Sequence, residues 1–398
     1  MTAATGVGGT TGVAGATAGP AGPVRRLDEL LGRRVDLRAL ALLRVLVGPL
    51  AIGHLWPFLS DALDGRIYRD TFTESYAAWY PHLPRGLYTA VLAVGVGAAA
   101  LMTVGGLGRL AAISWMSAVT RVATAATFGV VAYNLFLSTT HVHNNRAYLT
   151  IILAGLAVAP AGRRPVGPGW PLWLLRFEAA VVYGASGLSK LLDPDWFGGT
   201  VTWHRVVRVH DQVVASPLPG WAVTLLEDRS FHTVAAKAIV LTELFIALGL
   251  WWRATRYAAV WLAVCFHVAI QLSASVEVFS YLAIAALVIW AVPSSRDRVL
   301  AVDRAVPGHR RLARVVGGLD WLDRFRVEDG PPGGPVAVTD RDGRVLRGRG
   351  AVALVLSRLP LTAWFALPAV GAARVVGLAS ARRASAARRR RTERAAGG

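Results

Sequence analysis

Lys190 closes the apolar stretch Tyr183-Gly184-Ala185-Ser186-Gly187-Leu188-Ser189-Lys190-Leu191-Leu192. Lysine occurs at only one other position, Lys237, and every remaining basic residue is arginine. A guanidinium keeps its proton in a protein, whereas an amine in a dry site releases it. Lysine at the edge of an apolar segment therefore reads as a candidate general base, since ionisable groups at membrane depth are disproportionately functional. The plainer alternative is chance, because Lys237 shows that lysine is not excluded from this chain.

Other groups able to do chemistry lie in three places. His141-Val142-His143-Asn144-Asn145-Arg146-Ala147-Tyr148 precedes an apolar run. It reads either as a relay or hydrogen-bonding site or as a polar loop with a helix N-cap. His-x-His supplies two metal ligands, too few to argue a site, so no metal centre is expected. Asp193-Pro194-Asp195-Trp196 follows Lys190 directly. Proline ends a helix, aspartate caps the next segment and tryptophan anchors at the interface, which leaves only the lysine unexplained. Glu243, His267, Gln271, Glu277 and Tyr281 are polar positions in later apolar segments, and His267 reads as a packing residue as readily as a relay. Arg176 and Glu178 are two apart, so they face different sides of a helix. Arg176 is placed to snorkel, whereas Glu178 needs a partner in the bundle.

The elements that must position these groups are helices in lipid. The chain has 398 residues, 54% hydrophobic and 17% charged, against about 25% charged in soluble domains. Hydrophobic windows predict an all-α polytopic membrane protein with about eight transmembrane helices near 39–60, 87–105, 109–136, 147–162, 171–190, 234–252, 256–273 and 277–293. Segment 204–232 is too polar to span. Residues 1–24 read as a disordered leader, 25–295 as the transmembrane domain, 296–381 as a small α/β appendage and 382–398 as a disordered basic tail. Cys265 is the single cysteine, so no internal disulfide forms.

Arginine placement sets the expected orientation. Arg25, Arg26, Arg33, Arg34 and Arg38 precede the first span, Arg163 and Arg164 follow the fourth, and Arg253 and Arg256 separate the sixth and seventh. Arg296, Arg298 and the C-terminal arginines follow the eighth. An even span number puts all of these in the cytoplasm, with both termini, and opens Lys190 to the outer side. The net charge of +19 then favours anionic lipid at the cytoplasmic face. Nucleic acid is not an expected partner, because the basic tail lacks an aromatic-bearing fold to read bases.

A wider pattern joins these residues. Asn144-Asn145-x-x-Tyr148-Leu149, Trp170-Pro171, Tyr183-x-Ala185-x-Gly187-x-x-Lys190-Leu191, Asp195-Trp196, Gly199, Thr242-Glu243-Leu244, Phe266-His267 and Phe279 follow in order. Over roughly residues 35–293 this resembles the HTTM family, the horizontally transferred transmembrane proteins related to the vitamin K-dependent gamma-carboxylase. The resemblance implies that Lys190 is the base that deprotonates a quinol, menaquinol or vitamin K-like, for reaction with oxygen. It also implies carbon dioxide as the group that traps a substrate carbanion. It gives His143 and Arg146 to the catalytic set, and Asn144, Asn145, Tyr148, Trp196, Glu243 and His267 to substrate binding. Arg146 stands where the carboxylase has histidine. Arginine donates to an oxyanion but relays no proton, and His141 and His143 are the nearby histidines.

Val299-Leu300-Ala301-Val302-Asp303, Leu319-Asp320-Trp321-Leu322-Asp323-Arg324-Phe325 and Val338-Thr339-Asp340-Arg341-Asp342-Gly343-Arg344 are similar to the DCC family of small thioredoxin-like proteins. Asp342-Gly343 is a hairpin turn signal. The family's two cysteines would fall near Val306 and His309, so dithiol exchange is not expected here. Two functions remain open: a carboxylase-like or quinol-oxygenase-like enzyme acting on a hydrophobic substrate, and a non-catalytic lipid or quinone binder or assembly factor. A transporter is a third class, but the sequence carries no internal repeat of the kind transporters use.

Overall fold

The computed structural model describes residues 23–66, 76–110, 113, 115–161, 166–215, 218–252, 254–274, 278–290, 297–320, 324–359, 362–363 and 365. Most of the leader, the basic tail, Arg163, Arg164, Arg253, Glu277, Arg296 and 321–323 lie outside the described residues.

The chain opens with α1 (Pro23–Gly32), strand β1 (Arg34–Asp36), α2 (Arg38–Leu63), α3 (Arg85–Leu110), α4 (Met116–Phe136) and α5 (Asn144–Val158). Strand β2 (Val166–Pro168) and α6 (Trp170–Leu192) follow. Next come the short helices α7 (Pro194–Phe197), α8 (Thr200–Val207), α9 (His210–Val214) and α10 (Gly220–Glu227). The bundle ends with α11 (Arg229–Gly249), α12 (Arg256–Ala274) and α13 (Phe279–Ala286), which tightens into a 3₁₀ turn over Leu287–Trp290. By length and composition, α2, Arg85–Gly108 of α3, α4 and α11 are long and apolar enough to cross a membrane. Arg256–Gln271 and Phe279–Trp290 are apolar but shorter. The 23-residue α6 carries Arg176, Glu178 and Lys190.

The predicted division of the second and third spans at 105–109 is corrected: α3 runs on to Leu110 and α4 begins at Met116. Gly105, Gly106 and Gly108 of α3 are seats for neighbours. A Cβ on Gly105 would meet Thr120 Oγ1 at 2.1 Å, on Gly106 the Ala41 carbonyl at 2.9 Å, and on Gly108 Met116 Sδ at 2.0 Å. Small residues let membrane helices approach closely. Buried Thr120, Thr124 and Thr127 of α4 each return their hydroxyl to the carbonyl four residues back, so these three donors are satisfied within the helix.

One end of the bundle is drawn together by arginine. Arg44 of α2 is buried and donates to the carbonyls of Leu156 and Ala159 at 2.7 and 3.0 Å, capping α5. Strands β1 and β2 pair antiparallel beside it, a feature that sequence patterning misses because three residues show no alternation. Between α6 and α11 the described residues contain no helix long enough to span; α7 and α8 pack on the first turns of α11.

A separate core lies beyond the bundle. Strands β3 (Arg298–Val302), β4 (Phe325–Asp329), β5 (Ala337–Thr339) and β6 (Val345–Arg347) form one sheet in the order β4-β3-β5-β6, with α14 (Pro307–Leu319) and α15 (Arg349–Leu356). The pair β3–β4 is parallel and the other two are antiparallel. Leu300, Val302, Val316, Phe325, Val338 and Val355 fill its interior. The expected Asp342-Gly343 turn links β5 and β6, with Gly343 at φ 77°.

Candidate functional site

Helix α6 buries a stripe of Leu172, Leu175, Ala179, Tyr183 and Gly187, and the spacing of that stripe continues through Ser186 to Lys190. Helix α11 answers with Ala236, Val240, Glu243, Ile246 and Ala247. Gly187 sets the approach: a Cβ there would meet Leu244 Cδ2 at 3.0 Å and Glu243 Cβ at 3.2 Å. A helical side chain leans towards the N-terminus of its own helix. Lys190, two residues from the α6 C-terminus, therefore reaches back into the bundle and does not point out of it.

Its ammonium donates to Glu243 Oε1 at 2.8 Å, to Glu243 Oε2 at 2.7 Å and to Ser186 Oγ at 2.5 Å. Ser186 Oγ in turn donates to Glu243 Oε1 at 3.0 Å. The Lys190 and Glu243 side chains are 16% and 6% exposed, so this ion pair is largely shielded from solvent. Trp196 covers it, with Lys190 Nζ 5.2 Å from the ring centroid and the Arg205 guanidinium 5.4 Å from the same ring. Asp193 holds Trp196 in place as expected, accepting from the amides of Asp195 at 2.9 Å and Trp196 at 3.3 Å. Gly199, at φ 85°, brings the next turn against α11, where a Cβ would meet the His232 backbone at 2.6 Å. No other residue combines that dihedral with that contact.

A second cluster lies two turns before Lys190 along α6. Tyr183 hydroxyl and His267 Nε2 are 2.7 Å apart, and both residues are buried. His267 packs edge-on against Phe279 at 5.5 Å, and Phe279 against Tyr148 at 6.0 Å. Buried Glu178 Oε1, His267 Nδ1 and Gln271 Oε1 have no hydrogen-bond partner among the described residues. Tyr281 is exposed and takes no part.

The third group is the start of α5. His143 is the N-cap residue but makes no side-chain capping bond; it and Asn144 are exposed, and Asn145 is half-buried. The Arg146 guanidinium lies over the Phe58 ring at 5.2 Å. His141 packs on the same ring at 5.2 Å, with Nδ1 3.0 Å from the Asn134 carbonyl. Burial lowers the pKa of His141 against the opposing pull of that carbonyl, and the positive charge of Arg146 lowers it further.

The sequence-derived residues thus fall into three groups. Lys190, Glu243 and Trp196 meet directly, Tyr148 and His267 join through Phe279, and His143, Asn144, Asn145 and Arg146 stand at one helix start. Ser186 and Tyr183 were missed as site residues, although they lie four and seven residues before Lys190, on its face of the helix.

A model of the HTTM domain matches residues 32–294. The match begins at the end of α1 and ends after the 3₁₀ turn, so it contains all three groups and stops short of the C-terminal sheet. No curated protein and no solved structure matches the chain. The bundle that buries Lys190 against Glu243 is an HTTM domain in a membrane protein, and the chain belongs to the HTTM family.

Proposed function

We propose that this HTTM protein is a membrane enzyme that removes a proton from a hydrophobic substrate, with Lys190 and Glu243 as one proton-transfer unit. The observation that carries this reading is the shielded contact of one amine with both oxygens of one carboxylate and with Ser186. Two charges held out of water are costly, and a proton passing from Nζ to Glu243 removes both at once. The amine is then neutral and accepts a proton from a substrate hydroxyl. Ser186 holds the pair in register, and Trp196 closes it from water.

The family resemblance makes a quinol the substrate class. The residues fit: the flat Trp196 ring suits an aromatic headgroup, and Lys190 Nζ stands beside it. When bound, the quinol supplies oxygen-reactive chemistry. Arg146 at the start of α5 would hold a developing anion. Eight spans with both termini in the cytoplasm fit the arginine-drawn end of the bundle, and put Lys190 in the outer half. The sheet order and the position of Val306 and His309 at the start of α14 support a degenerate thioredoxin-like appendage without thiol chemistry.

A second reading, a quinone or lipid binder without turnover, is favoured by the closed state of the ion pair. Oxygen uptake by proteoliposomes given reduced menaquinone separates the two. The enzyme reading expects uptake that Lys190→Met abolishes and Lys190→Arg does not restore. Bound quinone without uptake establishes the binder; uptake that survives Lys190→Arg removes lysine from the mechanism.

A further inference from the structure

We propose that the end of the bundle opposite Lys190 holds the phosphate of an anionic phospholipid between Arg176 and Arg256, inside a frame of three tryptophans. Trp173 in the first turn of α6 stacks on Trp251, just past α11, with rings 5.9 Å apart and 12° from parallel. Trp251 meets Trp290 edge-on at 5.1 Å. The Arg176 guanidinium lies 5.5 Å from the Trp173 ring and 5.3 Å from the Trp290 ring, and Arg256 is 5.8 Å from the Trp290 ring. Two cations therefore share one indole within electrostatic range of each other.

The partners of Arg176 leave room for an anion. Arg176 gives Nε and Nη2 to a single acceptor, the Ile289 carbonyl, at 3.1 and 2.9 Å. Among the described residues no carboxylate pairs with Arg176. A guanidinium carries five N–H donors in a planar fork, so Nη1 stays available beside the carbonyl contact. Arg256 gives Nε to the Leu250 carbonyl at 2.9 Å and Nη2 to the Trp251 carbonyl at 3.3 Å. Trp290 is 3% exposed, and its Nε1 has no partner among the described residues. Two like charges and an unmet indole donor together match one tetrahedral phosphate.

The surroundings choose lipid over soluble phosphate. Leu174 and Phe177, on the same turns of α6 as Arg176, are 45% and 61% exposed, and Trp252 beside Trp251 is 59% exposed. These side chains offer acyl-chain contact and an interfacial anchor next to the guanidiniums.

Native mass spectrometry of the full chain in detergent tests this, with phosphatidylglycerol, a phosphate-free neutral diacylglycerol glycolipid and free glycerol 1-phosphate as probes. We expect phosphatidylglycerol to be retained over the glycolipid. Arg176→Gln should weaken it roughly tenfold, the loss of one charge-assisted hydrogen bond. Trp290→Phe keeps the ring and removes only the donor, so it should give a smaller loss with the fold intact. Should Arg176→Gln not fold, Arg256→Gln and Trp290→Phe decide the matter. Equal retention of phosphatidylglycerol and glycolipid, or unchanged retention in the folded variants, overturns the site. Displacement of the lipid by equimolar glycerol 1-phosphate overturns the lipid assignment.

Discussion

Removing one partner of the Lys190–Glu243 pair should cost far more than removing both. The ion pair is 2.7 Å long and its members are 16% and 6% exposed. At an effective dielectric of about 20 the gross attraction is about 6 kcal/mol, most of it offset by desolvation. Hydrogen bonds between membrane helices average only about 0.6 kcal/mol, so three contacts of that kind would sum to about 2 kcal/mol. A single change that leaves a shielded charge unmatched should cost about 3–5 kcal/mol instead. Lys190→Met and Glu243→Leu should therefore each lower the melting temperature on the order of 10 °C, at about 2–4 °C per kcal/mol for a domain of this size. The double variant, with two apolar side chains on facing helices, should recover most of that loss. Loss of the helical circular-dichroism signal on heating provides the assay. Additive losses in the double variant, with coupling below about 0.5 kcal/mol, would refute the pairing.

Three further outcomes follow from the fold. Gly187→Val pushes α6 off Leu244 and Glu243 and should cost about 1–3 kcal/mol in the same melting assay. Tyr88→Phe strips a 2.7 Å donor from fully buried Asn134 Oδ1; it should cost about 1–3 kcal/mol, and Asn134→Leu in the same chain should restore part of that. For His141, burial holds the folded pKa below the usual 6.5 of a free histidine, so its contribution to stability is fully present above 6.5 and is lost as pH falls below it. Melting temperature should therefore fall more between pH 7.5 and 5 in the wild type than in His141→Gln.

Much of the bundle was legible because apolar windows and the demand for paired backbone groups leave few choices in lipid. The exceptions have local causes. The division at 105–109 missed that Gly105, Gly106 and Gly108 let α2, Thr120 and Met116 press close on one continuous helix, contacts that no hydrophobic window shows. The β1–β2 pair is too short to show a period. At the site, lysine among arginines was visible, and so was the Asp193 cap. The partner of Lys190 was not, because Glu243 is 53 residues away and its approach depends on how α6 crosses α11. Sequence alone puts Lys190 at the last turns of α6; its lean towards the α6 N-terminus is what brings it to that carboxylate.

Two lysines in 398 residues make the most direct test simple. Nitrogen-15 labelling of lysine Nζ gives one signal for Lys190 and one for Lys237. We predict that the Lys190 signal shifts on Glu243→Gln and again when a quinol is added, while that of Lys237 stays fixed. A Lys190 signal that matches a water-exposed lysine and ignores both changes would contradict the account.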